Sequence, residues 1–165
     1  MAPEHAVAAA SSLLAACRAR ALRLVTAESC TGGLVAATLT EIAGSSDVVE
    51  GGFVTYSNAM KEEMLGVPHE LLETHGAVSE PVARAMAEGA LRRALRADLS
   101  VAITGVAGPS GGSAEKPVGL VFIASGRRGG PTLSERHVFA GDRRAIREAA
   151  VVRALELLLQ RAAQN

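Results

Sequence analysis

Short apolar runs alternate with amphipathic helical segments along the whole chain, and this alternation constrains the fold more than any other feature. Leu22 to Ala27, Gly52 to Tyr56, Leu99 to Thr104, Val118 to Ala124 and about Leu133 to Phe139 read as strands. Between them, His5 to Arg20, Thr31 to Ile42, a short helix capped by Asn58 and running through Leu65, Ser79 to about Arg96, and Arg143 to Arg161 carry helical periodicity. The start signals are explicit. Ser79 with Pro81 just inside the first turn opens one helix, and Gly141-Asp142 opens the last. Parallel strand pairs need helical crossovers, and hairpin signals are scarce except at the polar Arg127 to Pro131 turn. The order therefore predicts an α/β fold: a three-layer α/β/α sandwich around a central, largely parallel sheet, with a mixed sheet as its variant. Residues 1–165 are expected to form one domain, a length that buries about two-thirds of the unfolded surface in one core.

Charge and cysteine content narrow the function classes. Seventeen basic residues offset seventeen acidic ones, so the chain has no general attraction to nucleic acid or anionic membranes, and direct nucleic-acid binding is not expected. Cys17 and Cys30 lie too far apart for a CxxC motif and have no neighbouring ligand pattern. They read as free thiols, with neither a disulfide nor a metal site. No run reaches the roughly 18 apolar residues of a membrane span, and the N-terminus lacks a signal core. A cytoplasmic location is the expectation. Among the seventeen basic residues only Lys61 and Lys116 are lysines. A lysine retained in so arginine-biased a chain suggests a position that must lose a proton, which arginine does not do.

Ser29 lies where a strand meets a helix, in Glu28-Ser29-Cys30-Thr31-Gly32-Gly33, where backbone N–H groups can hold an oxyanion. The competing reading is a serine that merely caps the helix. Cys30 is the alternative nucleophile, or a small buried residue. Lys61 can serve as a base if burial keeps it neutral; otherwise it is a solvated helix lysine. His5, His69, His75 and His137 lie in segments that do not converge obviously on Ser29, and a Ser–His pair stays open as an alternative. Tyr56, the only tyrosine, stands five residues before Lys61, close enough to share a pocket, although half-buried packing would also explain it. The glycine-rich stretch from Gly105 through Gly108 to Gly112 lets main-chain amides approach a phosphate or ribose, yet matches no Walker or GxGxxG pattern. Arg143, Arg144 and Arg147 crowd a helix N-terminus against its dipole, which is a reason to expect a bound anion at one of them, although a solvated charged face balanced by Asp142 and Glu148 explains them at least as well.

Five motifs in this order, Thr26-Ala27-Glu28-Ser29-Cys30-Thr31-Gly32-Gly33, Gly51-Gly52 through Tyr56-Ser57-Asn58 to Lys61, His75-Gly76-Ala77-Val78-Ser79, Ile103-Thr104-Gly105-Val106-Ala107-Gly108-Pro109 and Lys116-Pro117-Val118-Gly119, resemble the CinA C-terminal domain family from about Ser12 to Leu159. That family includes stand-alone amidases that hydrolyse nicotinamide mononucleotide to nicotinate mononucleotide and ammonia in pyridine-nucleotide salvage. The resemblance implies that activity here, with no metal or organic cofactor, and a homo-oligomer, dimer or higher. It implies Ser29 as nucleophile, Lys61 as base and Tyr56 in support. Thr104 and an arginine near Arg143 would contact substrate. The mechanism expected on this basis has the N–H of Cys30 or Thr31 hold the oxyanion, with Gly32 in the same substrate-binding turn, and the loop of Gly105 and Gly108 together with Arg143 hold the ribose phosphate. The rival expectation is a non-catalytic module that binds pyridine nucleotides and regulates competence or DNA repair through a protein partner.

Overall fold

The computed structural model describes residues 3–165. Five strands, β1 (Leu24–Glu28), β2 (Val49–Val54), β3 (Leu99–Gly105), β4 (Leu120–Arg127) and β5 (Leu133–Val138), form one sheet in the order β2-β1-β3-β4-β5. The helices are α1 (Glu4–Ala19), α2 (Leu34–Thr40), α3 (Asn58–Leu65), α4 (His69–His75), α5 (Glu80–Arg93) and α6 (Arg143–Ala163). β1 pairs in parallel with β2 and β3, whereas β3 with β4 and β4 with β5 are antiparallel. The sheet is thus the mixed variant. Helices cross over between β1, β2 and β3, but the glycine-rich stretch after β3 turns straight back into β4, and the polar turn after Arg127 closes a hairpin.

Pleating sorts the core into two layers. Leu99, Val101 and Ile103 of β3 face α1, α2 and α6, where Leu13, Leu14, Val35, Ala150, Ala154 and Leu158 cover them. Ala102 on the opposite face, with Val25 and Ala27 of β1, packs against Leu65, Leu72, Val82, Met86 and Ala90 of α3, α4 and α5. Helices on both faces of one sheet give the three-layer α/β/α sandwich. With three Phe, one Tyr and no Trp, close approach of small aliphatic residues replaces aromatic bulk.

Some boundaries differ from the sequence expectation. β2 starts at Val49, since Gly51 and Gly52 carry no side chain to declare a strand. α2 begins at Leu34 and not Thr31, because Gly32 and Gly33 adopt φ of +59° and +99° and form a turn first. Ser57, not Asn58, caps α3, accepting from the Met60 N–H at 3.1 Å. Helix α4 and a single 3-10 turn at Ser45–Asp47 have no counterpart in the sequence pattern; both are about two turns or less, too short for periodicity to reveal.

Candidate active site

The parallel strands β2, β1 and β3 end on one rim of the sheet, with Glu28 level with Val54 and Ile103. Chain leaving β1 runs first toward β2 on one side, and chain leaving β2 reaches β3 on the other. A crevice therefore opens beyond the carboxyl ends at this switch of direction, where open α/β sheets bind ligands. Ser29 follows β1, Thr55 and Tyr56 follow β2 on the way to Lys61 in α3, and Thr104 and Gly105 close β3.

Ser29 does not cap α2. The buried Glu28 carboxylate takes that task, accepting from the Val35 N–H at 2.8 Å and the Ala36 N–H at 3.1 Å. A carboxylate at this position satisfies two free donors of the first turn and matches the helix dipole. The Ser29 hydroxyl is left for Lys61, whose Nζ lies 2.9 Å from Ser29 Oγ. The other Nζ partners are the carbonyl oxygens of Thr55 at 2.8 Å and Tyr56 at 3.2 Å. Carbonyls only accept, whereas a hydroxyl can give its proton. As an ammonium, Nζ donates to all three oxygens; once it loses a proton, the amine still donates to both carbonyls and its lone pair is left to accept from Ser29.

Electrostatics agrees. Lys61 is 1% exposed, and burial lowers its ammonium from 10.5 to about 8. No carboxylate bonds Nζ to hold the proton on. Burial drives the Cys30 thiol the other way, up to about 11, against a smaller opposing effect of the Cys30 backbone N–H and Arg147. The cysteine beside the nucleophile thus stays a thiol, and Ser29 has the base.

A pocket of about 290 Å³ gathers Ser29, Cys30, Tyr56, Lys61, Thr104, Gly105, Gly108 and Arg143. Ala77, Val78, Ser110 and Gly111 complete its wall. Of the residues expected at the site, Thr31 and Gly32 lie in the turn beneath it and not on its wall. Among the described residues, the backbone N–H groups of Thr31, Ala107, Gly108 and Gly111 donate to no protein acceptor, and that of Cys30 bonds only its own thiol sulfur. Thr104 turns its hydroxyl to the Ala77 carbonyl at 2.8 Å, tying β3 to the segment before α5.

The Tyr56 phenol stands away from Lys61. Its oxygen accepts from Arg143 Nη2 at 3.1 Å, while Arg143 Nη1 donates to the Gly108 carbonyl at 2.8 Å. Only the main-chain carbonyl of Tyr56 reaches the lysine. The three clustered arginines also separate. Arg143 lines the pocket, and Arg144 forms an exposed i,i+4 pair with Glu148 at 2.7 Å. Arg147 reaches under the Ser29 turn to the carbonyls of Cys30 at 3.1 Å and Thr31 at 3.0 Å. Glu28 and Arg147 are the site residues whose roles the sequence did not reveal. A lone acid closing an apolar strand just ahead of a helix was the available signal for Glu28; nothing local marked Arg147, which acts across 117 positions of chain.

Two larger hollows lack this chemistry. One of about 660 Å³ lies among Glu4, Val7, Glu41 and Arg144, and one of about 630 Å³ lies behind the loop among Pro109, Val118, Arg143 and Arg147. Neither contains a nucleophile and base. Among the described residues no three His, Cys, Asp or Glu side chains gather to hold a metal ion, and no helix is long and apolar enough to cross a membrane.

Comparison with known proteins agrees with the motifs. The CinA C-terminal domain model matches residues 6–162. The nicotinamide-nucleotide amidohydrolase PncC of Escherichia coli K12 is 54% identical over 150 residues, covering 91% of this chain and 90% of that protein. A CinA-like protein of Anaeromyxobacter is 57% identical over 85% of this chain, which spans only 34% of its length. The crystal structure of the competence/damage inducible protein CihA from Agrobacterium tumefaciens superposes with a TM-score of 0.95 at 50% identity, covering 99% of both chains. By sequence, fold and motif order, this chain belongs to the CinA C-terminal domain family.

Proposed function

We propose that the chain is a nicotinamide-nucleotide amidohydrolase that releases ammonia from nicotinamide mononucleotide through a seryl acyl-enzyme. The observation that carries this reading is the buried Lys61 Nζ at 2.9 Å from Ser29 Oγ, at the start of a turn whose Thr31 N–H has no protein acceptor. Its length-matched relative PncC supports the substrate. Neutral Lys61 takes the Ser29 proton as Oγ attacks the carboxamide carbon, and the N–H groups of Cys30 and Thr31 receive the oxyanion. Lysine then returns the proton to the departing nitrogen, the C–N bond breaks and ammonia leaves. Water attacks the ester by the same proton route, giving nicotinate mononucleotide and free Ser29. Arg143, steadied by Tyr56 and the Gly108 carbonyl, is placed to meet the phosphate, together with the amides of the glycine-rich loop. Holding that remote group positions the carboxamide over Ser29.

The same reading takes the chain as one amidohydrolase domain, since both core layers share one sheet. It also takes the protein as a cytoplasmic homo-oligomer. The free buried thiols and the exposed apolar side chains of Val54, Met60 and Met64 are in keeping with this. The test is incubation with nicotinamide mononucleotide, following ammonia and nicotinate mononucleotide, with Ser29→Ala as control. Release that vanishes in the variant supports the reading; equal release from both, or none from the native chain, contradicts it.

A further inference from the structure

Arg147 is an arginine at a crowded helix start, where sequence alone suggests a ligand for an anion. Its geometry says otherwise. Nε donates to the Cys30 carbonyl and Nη2 to the Thr31 carbonyl, so one rigid fork spans two consecutive peptide groups of the nucleophile turn. A peptide group is planar and trans, so the C=O of one residue and the N–H of the next point in opposite directions. Fixing the Cys30 carbonyl therefore fixes the Thr31 N–H, directed away from Arg147. The neighbouring plane is fixed by a different bond: the Gly32 N–H donates to the Ser29 carbonyl at 3.0 Å, which sets the Cys30 N–H. Of these two amides of the nucleophile turn, that of Thr31 has no protein acceptor.

We infer that Arg147 is a positioning residue, which aims the oxyanion-binding amide of Thr31 by clamping the carbonyls of Cys30 and Thr31 from beneath. This rests on the amidase reading of the site. An oxyanion donor is effective because it is already oriented when charge develops; a turn free to rotate would have to reorganise during the reaction. The glycines that follow, at positive φ, make the turn tight but leave it soft. The clamp supplies the stiffness from α6. Charge alone would not do so, since a lysine at 147 cannot bridge two carbonyls with one planar fork.

The experiment compares Arg147→Lys and Arg147→Gln with the native chain in two assays: turnover of nicotinamide mononucleotide, and the rate constant for phosphonylation of Ser29 by a fluorophosphonate. The second assay also forms an anionic oxygen at the serine, needs no nucleotide, and as a rate constant does not depend on any unfolded fraction. Both variants are expected to lose about 10- to 100-fold in kcat, with KM within about twofold, because an oxyanion donor acts in the transition state. Phosphonylation should slow in parallel, and the midpoint of the pH–rate profile should stay that of the native enzyme. Full kcat in Arg147→Lys would overturn the inference in favour of simple charge. A raised KM with kcat kept would make Arg147 a substrate contact, and unchanged phosphonylation would refute the clamp. If the native chain releases no ammonia, the amidase reading fails by itself, and the phosphonylation rates still decide the role of Arg147.

Discussion

At the scale of single residues, one buried amine and one buried thiol at the same turn are driven to opposite roles by the same loss of water. Burial takes Lys61 toward its neutral base form and Cys30 toward its neutral, unreactive form. Cys30→Ala should therefore keep kcat within a few-fold of the native value in the ammonia assay, and near-complete loss would transfer the nucleophile from Ser29 to the thiol. The lysine also has a signature in stability. Its proton is bound less tightly in the folded state, about 8 against 10.5, so the unfolded chain binds more protons between those values. Wild-type stability should rise relative to Lys61→Met as pH increases from 8 to 10.5, by about 3 kcal/mol in all. Denaturant unfolding of both proteins at pH 7 and pH 10 reads the difference directly; a gap independent of pH would mean that Lys61 is not perturbed.

Part of this was legible in the sequence. The scarcity of lysine singled out Lys61, and the strand-to-helix position singled out Ser29. The phenol of Tyr56 was expected near the lysine because five residues separate them, yet the strand-to-helix bend sends the side chain outward to Arg143 and leaves only the carbonyl inside. Spacing sets which residues are neighbours along the chain; the bend decides which atom each one presents.

At the scale of elements, each catalytic atom is held by a helix anchored elsewhere. α2 is fixed to β1 through Glu28, and α3 is fixed to α5 by direct backbone approach at Gly89. A Cβ at Gly89 would stand 2.0 Å from the Leu65 carbonyl oxygen. Because that contact is backbone, relief requires α3 to shift, and Lys61 lies one turn before Leu65. Gly89→Ala should cost about 1–3 kcal/mol by overpacking despite the better helix propensity of alanine. It should also lower turnover beyond the loss of folded protein. Thermal unfolding and kcat of the same preparation check this; a stabilised, fully active variant would show that the two helices do not depend on close contact. The helical and strand periods revealed these elements well. Their pairing was less legible, because β4 returns antiparallel through a loop of glycines that carries no periodic signal.

At the scale of the whole molecule, the crevice forms where the chain reverses its direction along the sheet, so ligand binding should stabilise strands from both halves together. Ser29→Ala with saturating nicotinamide mononucleotide should melt several degrees higher than without it, and RT ln(1 + [L]/Kd) gives about 2.7 kcal/mol at a hundredfold excess over Kd. A non-catalytic nucleotide-binding module would show the same shift in the native chain, without ammonia. The shift therefore tests the pocket, and the ammonia tests the chemistry. The family and the three-layer architecture were both legible from the motif order. Whether the two edge strands meet other copies depends on surface shape, which linear pattern does not encode.

The claim that Lys61 is the base of Ser29 is tested most directly by the pH–rate profile of ammonia release, measured for the native chain beside Lys61→Arg. The native kcat/KM should rise about tenfold per pH unit and level off near 8, where the lysine becomes neutral. Lys61→Arg, folded but unable to lose its proton, should fall by orders of magnitude and show no such rise. An active Lys61→Arg enzyme, or a native profile flat from pH 6 to 9, would contradict the account.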